Sequence, residues 1–446
     1  MQDFHPVIIG SDIGTYALAR SFHEAYGKTS SVVASQILGP IAHSRIIQVF
    51  LEKDYVMHDV PYSALVQALL TLGPQLQRTF AGQKLLLIAN ADTYVRDLVS
   101  HYDVLSTYYT FAAPSFSLLQ QVNDKEVFPS LIKQYGLQTP LSCSVDLADE
   151  PRAVLDQIMD NHELAVNFAT HALILKPVLS SGYEKLSWPG KYKVYTAHSQ
   201  DELFRIISDL HVHALEHEEV RHFLAQRRVE GNDSYNLSIT AYVDESNRVT
   251  LLGSAHVLLE DHVPTALGNP ACMITESYPK IYQKVCNFLT GIQWRGFANF
   301  DLKIDEHTHE LYCFEMNPRI GRNLYYNTAS GLNPMRVLVA DMIEHRAIET
   351  QRLKKSICYS VLPPRLALRY LGDSSERALR THIRRGSVYN PLYYPFEFGI
   401  SKRGLLRFAY VSIAYLNYWR KFYRDFPPSV AKTTGTTWLD TTDVTL

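Results

Sequence analysis

The stretches Gly296-Phe-Ala-Asn-Phe-Asp301-Leu-Lys303 and Tyr312-Cys-Phe-Glu315-Met-Asn317-Pro-Arg319 carry the alternating pattern of two strands that end in polar side chains. Side chains two residues apart share a face of a strand, so Glu315 and Asn317 point the same way. The proline that follows cannot donate to a sheet ladder, so we expect the second strand to end there. Asp301 lies on the polar face of the first strand.

Asp301, Glu315 and Asn317 would bring two carboxylates and an amide oxygen to one place. Such hard oxygen ligands suit Mg²⁺ better than zinc or a redox metal. Mg²⁺ usually takes one or two carboxylates and completes its octahedron with water and phosphate oxygens. The pattern is also compatible with two ordinary strands whose polar residues end at solvent, and the rest of the chain decides between the two interpretations.

Size and composition indicate a cytoplasmic protein of several domains. The chain has 446 residues, enough for two or three domains, and its 46% hydrophobic and 20% charged residues are ordinary for a globular protein. A net charge of −2 gives no indication of nucleic-acid binding. The five cysteines form no C-x-x-C pair, as expected for thiols in a reducing compartment. We expect neither a signal peptide nor a membrane span, because no run approaches the roughly 20 apolar residues that cross a bilayer.

The C-terminal part of the chain is distinctly basic. Residues 351–446 contain 16 Lys and Arg against 6 Asp and Glu. Residues 404–424 are an apolar and aromatic helix candidate that ends in cations. Such a helix would lie on an anionic membrane surface, pack on the body of the protein with its Tyr and Trp tips in water, or hold an anionic substrate. We favour packing on the body, because apolar residues occur around much of the helix.

The pattern of the first 118 residues predicts an open parallel sheet with helices. A short buried strand at 7–10, a helix at 14–26 and a strand at 31–34 give a β-α-β opening, and 84–89 is a further buried strand. The turn Gly10-Ser-Asp-Ile-Gly14 would either hold an anion at the helix N-terminus or serve as a tight connection.

The middle of the chain alternates strands and helices. A helix is predicted from Asn123-Asp-Lys125 to Tyr135, a strand at 173–177, a polar loop at 180–185 and a helix at 201–215. Further along, a strand begins at 223, and it breaks at Gly231. Strands at 235–243 and 249–258 and a helix at 278–290 then lead to the two opening strands.

The order of these features resembles the ATP-grasp ligases over about residues 1 to 345. The resemblance is carried by Asp124-Lys125, Leu175-Lys176-Pro177, a glycine-containing loop, Gln226-x-x-Val229-x-Gly231-x-Asp233, Asp301 and Glu315-x-Asn317-Pro-Arg319. The start of the chain and the stretch Asn317-Pro-Arg-Ile-Gly-Arg-Asn-x-Tyr-Tyr326 are similar to the D-aspartate ligase branch. Members of that branch attach D-aspartate to the lysine side chain of a peptidoglycan precursor in Gram-positive bacteria.

The resemblance implies a mixed α/β and α+β architecture. We expect an ATP-grasp fold with an N-terminal parallel-sheet domain and a basic C-terminal helical extension. The implied domains are an N-terminal α/β substrate-binding domain at 1–118, a small ATP-grasp subdomain at 119–220, a large subdomain with the metal site at 221–350, and the basic aromatic segment at 351–446.

The resemblance also assigns site residues. The metal ligands are Asp301, Glu315 and Asn317, and the cofactors are ATP and Mg²⁺, with Mn²⁺ as an alternative metal. Arg319, Lys303 and Arg322 are the catalytic candidates. The implied ATP-binding residues are Lys125, Lys176, Ser181, Gly182, Gln226, Arg227, Val229 and Asp233.

Alternative roles stay open for several of these residues, and the chain departs from the family pattern at two points. Lys303 would reach phosphate or neutralise Asp301, and Arg322 would bind a substrate carboxylate or pair with a surface acid. Gly182 is the single glycine of a phosphate loop that is glycine-rich in many relatives, and Gln226 stands where a glutamate is common.

The implied activity is ATP-dependent amide formation through an acyl-phosphate. We expect D-aspartate, or a similar amino acid, as the acid and a peptidoglycan precursor as the acceptor. The alternatives are an amino-acid or dipeptide ligase with another acid or amine, and a catalytically silent nucleotide-binding scaffold. The expected location is the cytoplasm, with peripheral contact to the inner face of the membrane through the C-terminal segment.

Overall fold

The computed structural model describes residues 3–55, 61–178, 180–183, 186–263 and 266–428. The chain divides into two compact units. The first unit contains Met1–Asn123, Gly231–Ile304 and Glu315–Leu446, and the second contains Asp124–Glu230 and Asp305–Phe314. The four predicted domain ranges, with boundaries at 118, 220 and 350, stay a prediction.

The strands are, in chain order, β1 (Phe4–Ile9), β2 (Ser30–Ala34), β3 (Ile47–Leu51), β4 (Lys84–Ala89), β5 (Tyr109–Thr110), β6 (Ser142–Asp146), β7 (Leu173–Pro177), β8 (Tyr195–Ala197), β9 (His222–Arg227), β10 (Asn236–Val243), β11 (Val249–Glu260), β12 (Pro270–Thr275), β13 (Gly296–Ile304), β14 (Leu311–Asn317), β15 (Gln351–Arg352), β16 (Cys358–Ser360) and β17 (Val388–Tyr389).

The helices are α1 (Ile13–Tyr26), α2 (Ala64–Thr79), α3 (Asp92–Ser100), α4 (Tyr102–Leu105), α5 (Phe116–Asn123), α6 (Val127–Lys133), α7 (Pro151–Asp160), α8 (His162–Phe168), α9 (Ser180–Tyr183), α10 (Gln200–Ala214), α11 (Pro279–Gly291), α12 (Tyr325–Ala329), α13 (Pro334–Met342), α14 (Pro364–Ala367), α15 (Asp373–Arg384) and α16 (Lys402–Asp425).

The first unit contains the predicted parallel sheet, in the order β3-β2-β1-β4-β5. Its central strands β1 and β4 are buried on both faces, which is why their sequences are nearly continuous apolar runs. In β1, Ile8 belongs to one hydrophobic cluster, and Val7 and Ile9 belong to another. The predicted β-α-β opening is confirmed.

A larger sheet in the same unit carries the two strands quoted at the outset. Its order is β14-β13-β10-β11-β12-β16-β17, with β15 beside β11. β13 runs antiparallel to β10, and Asp301 lies opposite Ser238. The strands predicted at 235–243 and 249–258 are confirmed as β10 and β11. The segment after residue 350 contributes β15, β16 and β17 to this sheet, in addition to the predicted helix.

The second unit contains a separate antiparallel sheet, in the order β6-β9-β7-β8. Helices α7, α8 and α10 supply apolar side chains that form one core with these strands. Leu175 of β7 and Phe223 of β9 are both buried in that core. The helix predicted at 201–215 is confirmed as α10.

Two local predictions in the middle of the chain are wrong. The predicted helix from Asn123 to Tyr135 is interrupted, because α5 ends at Asn123 and α6 begins at Val127. The Asp124 carboxylate accepts hydrogen bonds from the amides of Glu126 and Val127, an arrangement that replaces helical bonds between the two helices. The predicted loop at 180–185 contains one helical turn, α9, and its Lys185 lies outside the described residues.

The C-terminal helix packs on the first unit along one face. Val411 and Phe422 of α16 are buried in the main hydrophobic cluster, and Gly404 and Arg407 are buried beside them. The favoured packing on the body is therefore confirmed for this face. Residues 429–446 of the predicted C-terminal segment lie outside the described residues. In the described part of the chain, no helix is long and apolar enough to cross a membrane.

A buried histidine in β1 makes the stability of the fold depend on pH. The Nε2 of His5 lies 2.9 Å from Ser31 Oγ, and its ring stacks on Phe80 at 3.5 Å. Burial lowers the pKa of His5 to about 4. The unfolded chain, with a histidine pKa near ~6.5, therefore binds more protons between pH 6.5 and 4, and stability falls as the pH drops through this range.

We expect His5→Gln to remove this dependence. The difference in the free energy of unfolding between wild type and H5Q should shrink by up to ~3 kcal/mol when the pH is lowered from about 7 to about 4. Urea unfolding at a series of pH values measures this difference. H162Q is the control, because His162 is exposed. A wild-type to H5Q difference that stays constant with pH would contradict the assignment.

Candidate active site

Two carboxylates and an amide meet where β13 and β14 lie side by side. The Asn317 Nδ2 is 2.9 Å from Asp301 Oδ2 and 3.4 Å from Glu315 Oε1. The structure therefore brings together the three side chains that the sequence predicts as metal ligands. The oxygen and nitrogen of an amide have nearly the same shape, so half a turn of the Asn317 side chain would present a third oxygen to this position.

The electrostatics of this cluster favour a cation. Burial, followed by the neighbouring Glu315 carboxylate, raises the pKa of Asp301 well above its ordinary value. Asn299 holds the other oxygen of Asp301 at 3.2 Å, and it accepts a hydrogen bond from Thr240. Among the described residues, no three His, Cys, Asp or Glu side chains cluster as a metal site. Two carboxylates with an amide are compatible with Mg²⁺, which takes its other ligands from water and phosphates.

Arg319 lies beside the carboxylate pair. Its Nη2 donates to Asn317 Oδ1 at 3.0 Å, and its Nε is 3.2 Å from the Asp92 carboxylate. Asp92 opens α3, directly after the end of β4. The sequence interpretation missed Asp92, although its position at the carboxyl end of a parallel strand is typical of site residues in open α/β sheets.

Arg322 pairs with an acid at the start of α1. Its Nε lies 3.1 Å from Asp12 Oδ2. The other oxygen of Asp12 accepts from the Thr15 amide at 2.9 Å and from Asn90 Nδ2 at 3.0 Å. The Asp12 carboxylate thus caps the N-terminus of α1. The negative group at this helix terminus is therefore a side chain of the turn at residues 10–14. Gly14 allows the close approach of these groups, since a Cβ there would lie 3.1 Å from the Arg322 backbone.

A second polar cluster surrounds Asp233. The Asp233 Oδ2 accepts from the Glu260 amide at 2.9 Å and from His262 Nε2 at 2.8 Å. Burial, and then the Asp233 charge, raises the pKa of Glu260 well above its ordinary value. The sequence interpretation missed Glu260 and His262, which follow the strand that it predicted at 249–258. Lys303 donates to the Gly231 carbonyl at 2.5 Å.

The predicted ATP-binding residues of the second unit lie on or beside its sheet. Lys125 Nζ donates to the Pro177 carbonyl at 3.3 Å. Lys176 Nζ is 5.7 Å from the Phe314 ring centroid. Val229, two residues after β9, is buried. Ser181 and Gly182 lie in α9.

Arg227 has a structural partner in this unit. Its Nη2 forms a buried ion pair with Asp305 at 2.9 Å, and its Nη1 donates to the Tyr312 hydroxyl at 2.6 Å. The side chain is therefore engaged within the protein, and the backbone amide of Arg227 donates to the Leu141 carbonyl at 2.8 Å.

Gln226 provides a direct test of whether the second unit fits a nucleotide. This side chain is 3% exposed, and its Oε1 has no hydrogen-bond partner among the residues that the structure describes. Buried amide oxygens are nearly always paired. An exocyclic amine, such as that of adenine, is the kind of donor that this oxygen lacks. The residues present thus fit the group that the resemblance implies.

The chain is similar to known proteins in sequence and in fold. No protein-family model matches the chain. A D-aspartate ligase from Enterococcus faecium (strain Aus0004) is 28% identical over 430 residues, which cover 95% of this chain and 97% of that protein.

Solved structures show the same fold at low sequence identity. The biotin carboxylase domain of Hydrogenobacter thermophilus 2-oxoglutarate carboxylase, in complex with MgADP, ADP and bicarbonate, has a TM-score of 0.57 at 13% identity. The similarity covers 80% of this chain and 74% of that one. N5-carboxyaminoimidazole synthetase from Staphylococcus aureus, complexed with ADP, has a TM-score of 0.52 at 13% identity, over 80% of this chain and 82% of that one. The chain therefore has the ATP-grasp fold of these neighbours, and it is similar over nearly its full length to a D-aspartate ligase.

Proposed function

We propose that this protein joins D-aspartate to the lysine side chain of a peptidoglycan precursor, using ATP and Mg²⁺ to activate the aspartate carboxylate. The observation that carries the proposal is the alignment with a D-aspartate ligase over 95% of the chain. The carboxylate pair with Arg319 beside it supports the chemistry. The neighbours solved with MgADP and ADP support the choice of nucleotide and metal.

The chemistry follows from the poor reactivity of a carboxylate. One carboxylate oxygen of the acid attacks the γ-phosphorus of ATP, the bond to the β-phosphate oxygen breaks, and ADP leaves. The amine then attacks the acyl carbon, the carbon–oxygen bond breaks, and phosphate leaves as the amine loses a proton. Phosphoryl transfer needs positioning and charge stabilisation from the protein rather than a covalent nucleophile.

Each proposed residue has a defined task in this scheme. Asp301, Glu315 and Asn317 would hold Mg²⁺, which when bound screens the charge of the β- and γ-phosphates. Arg319 would stabilise the negative charge that develops on the transferred phosphoryl group and on the acyl oxygen. The position of Arg319 beside the Asn317 side chain supports this role.

The second unit would bind the rest of the nucleotide. Lys125 and Lys176 would neutralise the α- and β-phosphates, with Ser181 and Gly182 covering them. Gln226 would accept a hydrogen bond from the adenine amine, and the backbone of 227–229 would contact the adenine edge. Asp233, a residue of the first unit, would take the ribose hydroxyls through its Oδ1, because its Oδ2 is occupied by His262 and the Glu260 amide.

A substrate panel tests the proposal. Purified protein is incubated with Mg-ATP and a set of D- and L-amino acids, with and without a muramyl pentapeptide, and ADP and phosphate are measured. We expect release that depends on D-aspartate and a pentapeptide product that is heavier by one aspartyl residue. Release of ADP and phosphate only with another acid would overturn the D-aspartate assignment. The assignment as an ATP-dependent ligase would still hold. No release with any acid would favour a silent nucleotide-binding scaffold.

We further propose that the outward face of α16 contacts an anionic membrane surface. Leu405, Ile413 and Leu416 share this face and are 57%, 65% and 65% exposed. Basic residues lie at both ends of the helix, with Lys402 and Arg403 at its start and Arg420 and Lys421 near its end. An apolar stripe between cations is typical of helices that lie in the interface of anionic bilayers.

Vesicle sedimentation tests this contact. We expect binding to phosphatidylglycerol vesicles and little binding to phosphatidylcholine vesicles. I413E should weaken binding by ~10-fold or more, because it removes a large apolar side chain from the lipid. N417E is the matched control, since it adds the same charge to the helix outside the stripe. Equal binding of I413E and N417E would contradict the proposed surface.

A further inference from the structure

The end of the C-terminal helix is connected to the carboxylate that we assign to the ribose of ATP. Phe426, which directly follows α16, stacks on the ring of His262, with ring centroids 3.7 Å apart and an angle of 11° between the ring planes. The Nε2 of His262 in turn lies 2.8 Å from Asp233 Oδ2. All three residues belong to the first unit. A ring contact and a hydrogen bond therefore link the end of α16 to Asp233.

The orientation of the Asp233 carboxylate depends on two donors that bind the same oxygen. The Glu260 amide and His262 Nε2 both contact Oδ2, and Oδ1 accepts no hydrogen bond from the residues that the structure describes. The Asp233 side chain is 17% exposed, so Oδ1 is available to a ligand. The Glu260 amide belongs to the backbone of β11, whereas His262 is a side chain that can rotate. The direction of Oδ1 therefore depends on how firmly the His262 ring is held.

Phe426 connects the His262 ring to the hydrophobic core. Its ring also stacks on Tyr370, with centroids 5.6 Å apart and an angle of 18° between the planes. Tyr370 is 3% exposed and contacts Phe422 of α16 edge-on at 5.3 Å. Both Tyr370 and Phe422 belong to the main hydrophobic cluster. A binding group keeps its geometry when the side chains behind it are locked by packing, and this row of rings provides such support.

We propose that His262 and Phe426 are positioning residues for ATP. Phe426 holds the His262 ring, and His262 holds Asp233 with its Oδ1 directed at the ribose hydroxyls. The inference rests on the proposed function, and it gives the C-terminal segment a part in nucleotide selection. This segment lies beyond residues 1–345, over which the chain resembles the ATP-grasp ligases. The C-terminal extension would therefore act together with the ligase core in recognising the ribose.

The test compares ATP with 2′,3′-dideoxy-ATP, which lacks both ribose hydroxyls. We expect wild type to favour ATP in kcat/KM by about 10- to 100-fold, the effect of hydrogen bonds to a charged group. H262F keeps an aromatic ring for Phe426 and removes the donor to Asp233, so it should reduce this preference by ~10-fold. F426L keeps an apolar side chain and removes the ring contact, so it should reduce the preference by ~2- to 10-fold.

Two control variants separate positioning from a general loss of packing. F426Y retains the ring that stacks on His262 and should retain the preference for ATP. F408L removes another aromatic side chain of α16, which is 50% exposed and contacts Phe398 at 5.4 Å, and it should also leave the preference unchanged. The preference is a ratio measured on one variant, so a partly unfolded fraction cancels. F426M replaces F426L if that variant does not fold.

The outcomes that would overturn the inference are distinct for the two residues. A preference for ATP that H262F retains in full would overturn the role of His262. A preference that F426L retains in full would overturn the role of the C-terminal helix. An equal loss of kcat/KM with both nucleotides would assign both residues to stability alone, because such a loss does not depend on the ribose hydroxyls.

Failure of the proposed function would be seen separately, because nucleotide binding requires neither the acid nor the acceptor. Calorimetric titration of the protein with Mg²⁺ and either ADP or 2′,3′-dideoxy-ADP replaces kinetics if D-aspartate is not turned over. Weaker binding of the dideoxy nucleotide in wild type, with a smaller difference in H262F and F426L, supports the inference. Equal binding of the two nucleotides by wild type, or binding of neither, overturns it.

Discussion

Replacing Asp301 by Asn is expected to reduce ATP-dependent amide formation by about 10²- to 10³-fold while the protein stays folded. The substitution keeps the shape of the side chain and an acceptor for one of the two amides that donate to Asp301, those of Asn299 and Asn317. It removes one of the two negative charges that face each other in the cluster. The site would then hold Mg²⁺ weakly, because a neutral amide replaces a carboxylate ligand.

The stability of D301N should move in the opposite direction to its activity. In the wild-type protein the Asp301 carboxylate lies buried against Glu315, so its charge destabilises the metal-free fold, as the raised pKa of Asp301 indicates. We expect the free energy of unfolding of D301N without Mg²⁺ to equal or exceed that of wild type. A loss of activity in D301N would then reflect impaired catalysis rather than unfolding.

Thermal unfolding with and without Mg-ADP provides a readout that does not depend on turnover. Wild type should be stabilised by Mg-ADP, and D301N should lose most of that stabilisation. D149N, a change of the same type at an exposed position, is the control. Full activity of D301N, or an unchanged response to Mg-ADP, would contradict the assignment of the metal site.

Replacing Arg407 by Met is expected to destabilise the first unit by ~3–5 kcal/mol. Arg407 of α16 and Glu397 are both fully buried, with Arg407 Nε 3.4 Å from Glu397 Oε2. Glu397 also accepts from the Tyr16 hydroxyl, from Ser44 Oγ at 2.5 Å and from the Arg45 amide at 2.6 Å. R407M would leave a buried carboxylate without its cation, which is why the cost is large.

The same arginine attaches the C-terminal helix to the N-terminal part of the chain. Its Nη1 donates to the carbonyls of Gly39, Pro40 and Ala42 at 3.3, 2.7 and 3.2 Å. In R407M these three carbonyls lose a shared donor. We therefore expect α16 to loosen before the rest of the unit unfolds.

Urea unfolding of R407M, E397Q and the double variant measures the coupling. The double variant should be more stable than the sum of the single effects predicts, by ~1–3 kcal/mol, because removing both partners leaves no unpaired charge. R403M, at an exposed position of the same helix, is the control. Additive effects of the two substitutions would show that the ion pair is not the source of the cost.

Local sequence patterns were sufficient to predict much of the fold. The apolar runs of β1 and β4, the alternation of β13 and β14, and the periodicity of α1 and α10 are all local. The structure has these elements within one residue of the predicted bounds, except that β1 begins three residues earlier than predicted. The break at 124–126 was missed because it depends on a side-chain hydrogen bond of Asp124 that competes with the helix. The short strands β15 and β17 have two residues each, too few for an alternating pattern to appear.

The residues of the candidate site also fall into two groups, those that are close together in the sequence and those that are far apart. Asp301, Glu315, Asn317 and Arg319 lie within 19 residues of one another, so strand geometry alone predicted that they meet. Asp12 and Asp92 are more than 200 residues from their partners Arg322 and Arg319, and only the packing of the parallel sheet on the larger one brings them together.

The most direct test of the central claim follows oxygen atoms from the acid to phosphate. D-Aspartate labelled with ¹⁸O in both carboxylates is incubated with the enzyme, Mg-ATP and the muramyl pentapeptide, and the released phosphate is examined by mass spectrometry. Activation through an acyl-phosphate predicts one ¹⁸O atom in each phosphate formed, with one labelled oxygen lost from the aspartyl residue of the product. Unlabelled phosphate accompanying product formation would contradict the account.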